Sequence, residues 1–122
     1  MYTISKGFQF SAGHHLEGLP EEHPCTRPHG HNYEVIVILE SDLLNENGFV
    51  LDYRELKSVK DYLDQVFDHR YLNDFLPFNP TAENIAKHLY YQFNALIGSH
   101  LLKAVKVKET PKTEATYEPD HD

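Results

Sequence analysis

The sequence predicts an α+β domain in which an antiparallel four-stranded sheet carries two helices packed on one face. This prediction rests on the order of hydrophobic patterns along the chain, which is strand, strand, helix, helix, strand, strand, and on the lack of linkers, repeats and low-complexity tracts. A chain of 122 residues is long enough for one core but short for two. We therefore expect a single domain over residues 1–122.

The amino-acid composition argues against two classes of binding partner, nucleic acids and membranes. Eleven Lys and Arg against nineteen Asp and Glu give a formal charge of −8, which argues against a nucleic-acid or anionic-membrane surface. No apolar run approaches the ~20 residues of a membrane span, and residues 1–6 lack the apolar core of a signal peptide. We expect a cytoplasmic protein. Its one cysteine cannot form an internal disulfide.

The first strand is predicted from residue 2 to residue 10. Phe8 and Phe10 share one face of it. If the alternation continues through the following residues, His14 falls on the face of Phe8 and Phe10, whereas His15 falls on the opposite face.

A loop and a second strand follow. Residues 17–28 contain three prolines and cannot form a regular element, so they are predicted to be a loop that carries Cys25. Residues 31–40 form a strand whose two faces are both largely apolar, which indicates cover on both sides. The second cover is either another subunit or simply more of the same core.

Two helices are predicted in the middle of the chain. Asp52 and Glu55 fit a capping box that opens a helix to about Phe67. Thr81 caps another helix that runs to about Ile97. The apolar stripe of this second helix consists of Ile85, Leu89, Phe93 and Leu96.

The last two strands are predicted at residues 101–109 and 114–117. Glu109 ends the first of them on its apolar face, where a carboxylate without a partner is costly. We therefore expect a ligand or a protein group to satisfy Glu109.

The strongest chemical pattern is His29-Gly30-His31 at the start of the second strand. Residues two apart in a strand point to the same side, so both imidazoles can reach one metal ion, and a third histidine would leave a Zn²⁺ site open for substrate. Cys25 lies nearby, with Arg27 two residues on to favour its thiolate. Taken alone, the histidines could be surface residues and the cysteine an inert buried one.

Six segments together have a recognisable order. They are residues 8–14, 25–33, 48–53, 68–73, 79–84 and 107–110. In this order they resemble the 6-pyruvoyl-tetrahydropterin synthase superfamily, and most of all its bacterial 6-carboxy-5,6,7,8-tetrahydropterin synthase branch in queuosine biosynthesis. That branch has three residues between the cysteine and the His-Gly-His motif, as this chain has between Cys25 and His29.

The resemblance implies a role for each matching residue. His14, His29 and His31 match the zinc ligands, and Cys25 matches the general base that removes a proton from the substrate. Asp68 and His69 match an Asp-His pair assigned to proton relay.

The resemblance also implies a substrate site. Glu109 matches the carboxylate that anchors the pterin ring, and Thr81 and Glu83 belong to the motif that surrounds it. Arg27 is a candidate for contacting the substrate's triphosphate.

The activity implied is a zinc-dependent carbon-carbon lyase reaction. In this reaction 7,8-dihydroneopterin triphosphate gives 6-carboxy-5,6,7,8-tetrahydropterin, acetaldehyde and triphosphate. The alternatives are triphosphate elimination to 6-pyruvoyl-tetrahydropterin, or a catalytically silent, zinc-stabilised pterin-binding module. The fold implied is the tunnelling fold, whose sheets join into a barrel in trimers that pair into a homohexamer, with active sites between subunits.

Overall fold

The computed structural model describes residues 1–98 and 100–120. The regular strands and helices are, in chain order, β1 (Tyr2–His14), β2 (His29–Ser41), α1 (Lys57–Tyr62), β3 (Arg70–Tyr71), α2 (Ala82–Ile97), β4 (Leu102–Thr110) and β5 (Thr113–Tyr117). Short 3₁₀ turns occupy Pro24–Thr26, Tyr53–Leu56 and Leu72–Asp74. The order of the larger elements is the one that the sequence predicts.

The sheet has five strands, in the order β3-β1-β2-β4-β5. The prediction of four antiparallel strands is wrong in one respect, because β3 pairs in parallel with Ala12 and Gly13 of β1 and makes the sheet mixed. A strand of two residues is too short to show any period in the sequence. The other three pairings are antiparallel, as predicted.

The core lies between the helices and one face of the sheet. This face carries Phe8, Phe10 and Ala12 from β1 with four buried side chains of β2, which are Tyr33, Val35, Val37 and Leu39. On the opposite face Ile36 and Ile38 are only half-buried in the single chain. The second cover predicted for this strand is therefore not complete within one chain.

The helical segment after Asp52 is less regular than predicted. Asp52 does act as an N-cap and accepts a hydrogen bond from the Arg54 amide at 2.9 Å. The segment then passes from a 3₁₀ turn through α1 into a π turn at Leu63–Phe67, which the Asp68 amide closes by donating to the Leu63 carbonyl at 2.9 Å. A π turn is frequent at functional sites and has no simple sequence signature.

Helix α2 begins and ends as predicted. The Thr81 hydroxyl accepts from the Asn84 amide at 3.1 Å, and Gly98 ends the helix with a φ of 67°. Ile85, Leu89 and Phe93 are fully buried, whereas Leu96 is 42% exposed and does not belong to the buried stripe. None of the helices in the two described ranges is long and apolar enough to cross a membrane.

Register between the first two strands sets the functional end of the sheet. His14 pairs with His29 across β1 and β2, and Ala12 pairs with His31. Since paired residues share a face, all three histidines lie on the helix-covered side, as the alternation from Phe8 and Phe10 predicts for His14.

Candidate metal centre and its surroundings

Three histidines converge at the end of the sheet. One ring nitrogen from each of His14, His29 and His31 lies within 4.8 Å of the others. Among the described residues, these three side chains form the group of His, Cys, Asp or Glu that could hold a metal ion. His14 is fully buried, whereas His29 and His31 are half-buried. Such a group has the donor set of an open metal site, with three protein ligands and room for one more.

Backbone carbonyls orient two of these rings. Nδ1 of His14 lies 2.8 Å from the Pro80 carbonyl oxygen, and Nδ1 of His29 lies 2.7 Å from the Arg27 carbonyl oxygen. A carbonyl oxygen can only accept a hydrogen bond, so each Nδ1 carries the proton and each Nε2 keeps an unprotonated lone pair. The Tyr33 hydroxyl lies 3.5 Å from Nε2 of His14. A metal-binding histidine commonly donates its other ring N–H to a backbone carbonyl, and this hydrogen bond fixes the tautomer of the ring.

The third ring supplies an orphan nitrogen. Nε2 of His31 is buried and has no hydrogen-bond partner among the described residues. It lies 3.4 Å from Oε2 of Glu109, a contact that is close enough for an ion pair but lacks hydrogen-bond geometry. A buried polar atom without a partner is costly, and coordination of a cation would remove that cost, so the residues present fit a bound metal ion.

Burial favours the metal-binding form of two of the rings, those of His14 and His31. Desolvation is the main cause that lowers the pKa of His14 and of His31, and the nearby Glu109 carboxylate opposes it in both cases. A lowered pKa favours neutral imidazole at physiological pH, which is the protonation state of a metal ligand.

Glu109 lies between the metal centre and the start of α2. Its Oε1 accepts a hydrogen bond from the Ala82 amide at 3.1 Å, which gives the predicted buried carboxylate a protein partner. Glu83, which is exposed, lines a cavity of about 340 Å³ together with Glu109 and Ala82. Thr81 uses its hydroxyl as the helix cap, so its contact in the free protein is structural.

Cys25 lies in the 3₁₀ turn between β1 and β2. The turn is tied to the end of β1 because the Leu16 amide donates to the Cys25 carbonyl at 2.7 Å, two residues after His14. The cysteine is half-buried and free, and its sulfur is not part of the three-histidine group. The Arg27 side chain is exposed, and its carbonyl is the group that contacts the metal centre.

Asp68 and His69 form a pair at the outer edge of β1. Oδ2 of Asp68 accepts from Nδ1 of His69 at 2.8 Å, and Oδ1 accepts from the Ser11 amide at 2.9 Å. The Ser11 amide and then His69 lower the pKa of the Asp68 carboxyl. His69 has a φ of 59°, in the left-handed region that non-glycine residues seldom adopt, and its side chain is 82% exposed.

Asp68 and His69 do not belong to the three-histidine group. In the described ranges Asp68 and His69 make no hydrogen bond or ion pair with the three histidines, although His69 and His31 line the same shallow depression of about 510 Å³. The structure thus brings together the three histidines and Glu109. Asp68 and His69 lie instead beside Ser11, at the outer edge of β1.

Two asparagines of the matching segments have roles that the sequence did not suggest. Asn73 accepts from the His15 amide at 2.9 Å and donates to the His15 carbonyl at 3.0 Å. Asn79 does the same for Glu17, at 2.9 and 3.1 Å. These contacts span more than fifty residues and carry no periodic signal, so only the fold reveals that they hold the chain that follows His14.

The fold and the site together define a class of protein. They describe an α+β protein in which three histidines at the end of a sheet form an open metal site beside a carboxylate at a helix start. The family model of 6-pyruvoyl tetrahydropterin synthase matches residues 3–120, and the chain belongs to that family.

Individual relatives agree with this assignment. A 6-carboxy-5,6,7,8-tetrahydropterin synthase of Synechocystis is 37% identical over 96% of this chain and 93% of its own. The protein of the same name from Bacillus subtilis is 30% identical over 97% and 86%. The solved structure of the Caenorhabditis elegans 6-pyruvoyl tetrahydropterin synthase superimposes with a TM-score of 0.86 at 30% identity, covering 98% of this chain and 96% of that one.

Proposed function

We propose that the protein is a zinc-dependent lyase that converts 7,8-dihydroneopterin triphosphate and water to 6-carboxy-5,6,7,8-tetrahydropterin, acetaldehyde and triphosphate, as a step of queuosine biosynthesis. The observation that carries the proposal is the buried, unpartnered Nε2 of His31 beside His14 and His29. Names of the relatives from Synechocystis and Bacillus subtilis support the carboxy product.

The proposed metal ligands are Nε2 of His14, His29 and His31. Zinc, when bound there, would act as a Lewis acid on oxygens of the substrate side chain. Zinc is the preferred metal because three neutral imidazoles with one open position are typical of catalytic zinc.

The pterin ring is proposed to bind at Glu109. Its carboxylate is held by the Ala82 amide through one oxygen, and the other oxygen faces the metal centre, so the group can accept hydrogen bonds from ring N–H donors. Glu83 and Thr81 stand at the same helix start and are proposed to help surround the ring. Arg27, exposed beside the site, is proposed to contact the triphosphate.

Proton transfer is assigned to Cys25, Asp68 and His69. Cys25 is proposed to take the proton from the substrate side chain, and its turn is tethered close behind His14. Asp68 holds Nδ1–H of His69 and thereby leaves Nε2 of that ring free to accept and return a proton.

A homohexamer, built as a dimer of trimers, is the assembly that we propose. Half-buried Ile36 and Ile38 on the helix-free face support it, as does the position of Asp68 and His69 at an open sheet edge. In such an assembly the pair of one subunit would complete the metal centre of a neighbour.

A second product remains a candidate. The relative from Caenorhabditis elegans bears the 6-pyruvoyl name and matches at 30% identity, so a 6-pyruvoyl-tetrahydropterin product has support of its own. Both reactions would use the same metal ligands and the same Cys25.

One incubation tests these alternatives. Zinc-loaded protein is mixed with 7,8-dihydroneopterin triphosphate without oxygen, and the products are identified by mass spectrometry. We expect 6-carboxy-5,6,7,8-tetrahydropterin and acetaldehyde in equal amounts. A 6-pyruvoyl product would reassign the reaction, and zinc binding without turnover would leave a silent pterin-binding module.

A further inference from the structure

The turn before α2 touches both halves of the candidate site. The Pro80 carbonyl accepts from Nδ1–H of the metal-site residue His14 at 2.8 Å, and the Ala82 amide, two residues later, donates to Glu109 at 3.1 Å. One short stretch of backbone therefore sets the tautomer of a metal ligand and the orientation of the carboxylate beside it.

Asn79 fixes this turn from the preceding position. Its side chain accepts from the Glu17 amide at 2.9 Å and donates to the Glu17 carbonyl at 3.1 Å. Its own carbonyl accepts from the Thr81 amide at 2.8 Å and from Nδ2 of Asn84 at 3.0 Å. These four contacts hold the peptide unit that leads into Pro80.

Pro80 adds a second constraint. Its ring locks φ, and it restricts the residue before it to extended conformations, so little freedom remains between Asn79 and the helix cap. Pro80 is buried, and its carbonyl precedes the first helical hydrogen bond, which Ile85 makes to Thr81 at 2.9 Å. The carbonyl is therefore free for His14.

We propose that Asn79 is a positioning residue for the metal centre. It holds the Pro80 carbonyl in place, and this carbonyl keeps the proton of His14 on Nδ1 and presents Nε2 to the metal. The inference rests on the proposed function only in taking His14 as a metal ligand. Loss of such an outer contact typically weakens metal binding by about 10–100-fold.

The chain offers a matched control in Asn45. Its side chain also makes two hydrogen bonds to backbone, accepting from the amides of Asn47 and Phe49 at 2.9 and 3.0 Å. It lies beyond Ser41, at the opposite end of β2 from His29. Asn45→Ala thus removes two side-chain hydrogen bonds to backbone, as Asn79→Ala does, but these are local contacts away from the site.

Two measurements test the proposal. Zinc affinity is measured by chelator competition for the wild type, Asn79→Ala and Asn45→Ala, at a temperature where circular dichroism shows all three folded. The tautomer of His14 is read from its imidazole ¹⁵N shifts in the metal-free proteins at pH 8. We expect Asn79→Ala to bind zinc at least about 10-fold more weakly and to lose the pure Nδ1–H signature, with Asn45→Ala unchanged.

Other results would overturn it. Wild-type zinc affinity and an intact Nδ1–H signature in Asn79→Ala would show that the turn keeps its geometry without this side chain. Equal weakening in Asn45→Ala would show a general effect of stability. If the wild type itself bound no zinc, the proposed function would fail, while the ¹⁵N shifts of the metal-free protein would still decide the role of Asn79.

Discussion

At the scale of single residues, the three histidine rings differ in the contacts that orient them. His29 is oriented by a carbonyl only two residues earlier in the chain, that of Arg27, whereas His14 depends on Pro80, which is 66 residues away. His31 is distinguished by its buried Nε2, which finds no hydrogen-bond partner in residues 1–98 and 100–120. A local contact forms with the strand start, but the contact of His14 exists only after the whole domain has folded.

We expect His29→Ala to abolish tight zinc binding. The change removes one of the three proposed ligands, so its effect should exceed the roughly 10–100-fold loss that follows removal of an outer partner. Metal content after dialysis and chelator competition both measure this. Retention of one tightly bound zinc per chain would contradict the assignment of His29.

Cys25→Ala should reduce turnover without changing the fold or the zinc content. The sulfur does not belong to the histidine group, so we expect the fold and the zinc content to survive. Turnover should fall by roughly 10²–10⁴-fold, the usual contribution of a general base. Product formation under saturating substrate is the measurement, with zinc content as its control, and turnover at the wild-type rate would exclude Cys25 as the base.

The sequence predicted the grouping of the three histidines better than the contacts that hold them. Strand alternation places His14 on the face of Phe8 and Phe10, and the structure confirms this because a long strand keeps its period. The amide clamp from Asn79 to Glu17 joins loops 62 residues apart, and no local pattern predicts such a contact. The roles assigned to the other site residues stay predictions, and these residues are Cys25, Asp68, His69, Glu109, Thr81, Glu83 and Arg27.

At the scale of elements, α2 is the part that the sequence defines most completely. Its cap, its buried stripe and its terminal glycine are all local signals, and Gly98 ends it in the left-handed conformation with a φ of 67°. Only the exposed Leu96 departs from the expectation, because the buried positions recur every four residues and continue from Phe93 to Ile97, which packs against the core.

Gly98→Ala should destabilise the protein by about 1 kcal/mol, because a side chain with Cβ strains a left-handed backbone. Gly7→Ala is the control, since Gly7 lies in β1, has no positive φ and has nothing within 4 Å of an added Cβ. Urea unfolding measures both. Equal stability of Gly98→Ala and the wild type would contradict the account of the helix end.

We expect the contact between α2 and the helical segment before it to depend on pH. His88 packs against the rings of Phe67 and Phe78, with the Tyr62 hydroxyl 3.4 Å from Nε2, and burial lowers its pKa. The unfolded chain therefore binds the proton more readily than the folded one. The stabilisation from neutral His88 is present above the ordinary pKa of about 6.5 and is lost as the pH falls through the lowered folded value.

His88→Leu should flatten this part of the pH dependence. Urea unfolding of metal-free protein at pH 7.5 and pH 5.5 is compared for the variant and the wild type. We expect both to lose stability on acidification, since His14 and His31 also have lowered pKa values, but the loss should be smaller in the variant. An identical loss in the two proteins would mean that His88 does not titrate with folding.

At the scale of the whole molecule, the hydrophobic pattern of the sequence predicts the fold class and the order of the elements. It does not predict the structure at the edge of the sheet. The strand β3 and the π turn before it are short and irregular, so the sequence suggested neither. These two features nevertheless place Asp68 and His69 beside Ser11. Irregular geometry at a functional position is common, because local preference is overridden there.

The outer edge of β1 is the surface through which we expect subunits to join. Ser11 turns its amide and its carbonyl away from β2, towards Asp68 and His69, and in an antiparallel pair every second residue does the same. Ser5 therefore points its N–H outward, and β3 does not reach that far. A long open edge of this kind pairs readily with another strand.

Ser5→Pro should break the assembly without unfolding the chain. Proline removes the outward N–H and leaves the β1–β2 hydrogen bonds intact, which is why it is tolerated at edges. Light scattering after gel filtration should give about six times the 14.2 kDa chain mass for the wild type and for the control Ser5→Ala, and a smaller species for Ser5→Pro. A monomeric wild type would contradict the proposed hexamer, and an unchanged mass for folded Ser5→Pro would exclude this edge as the interface.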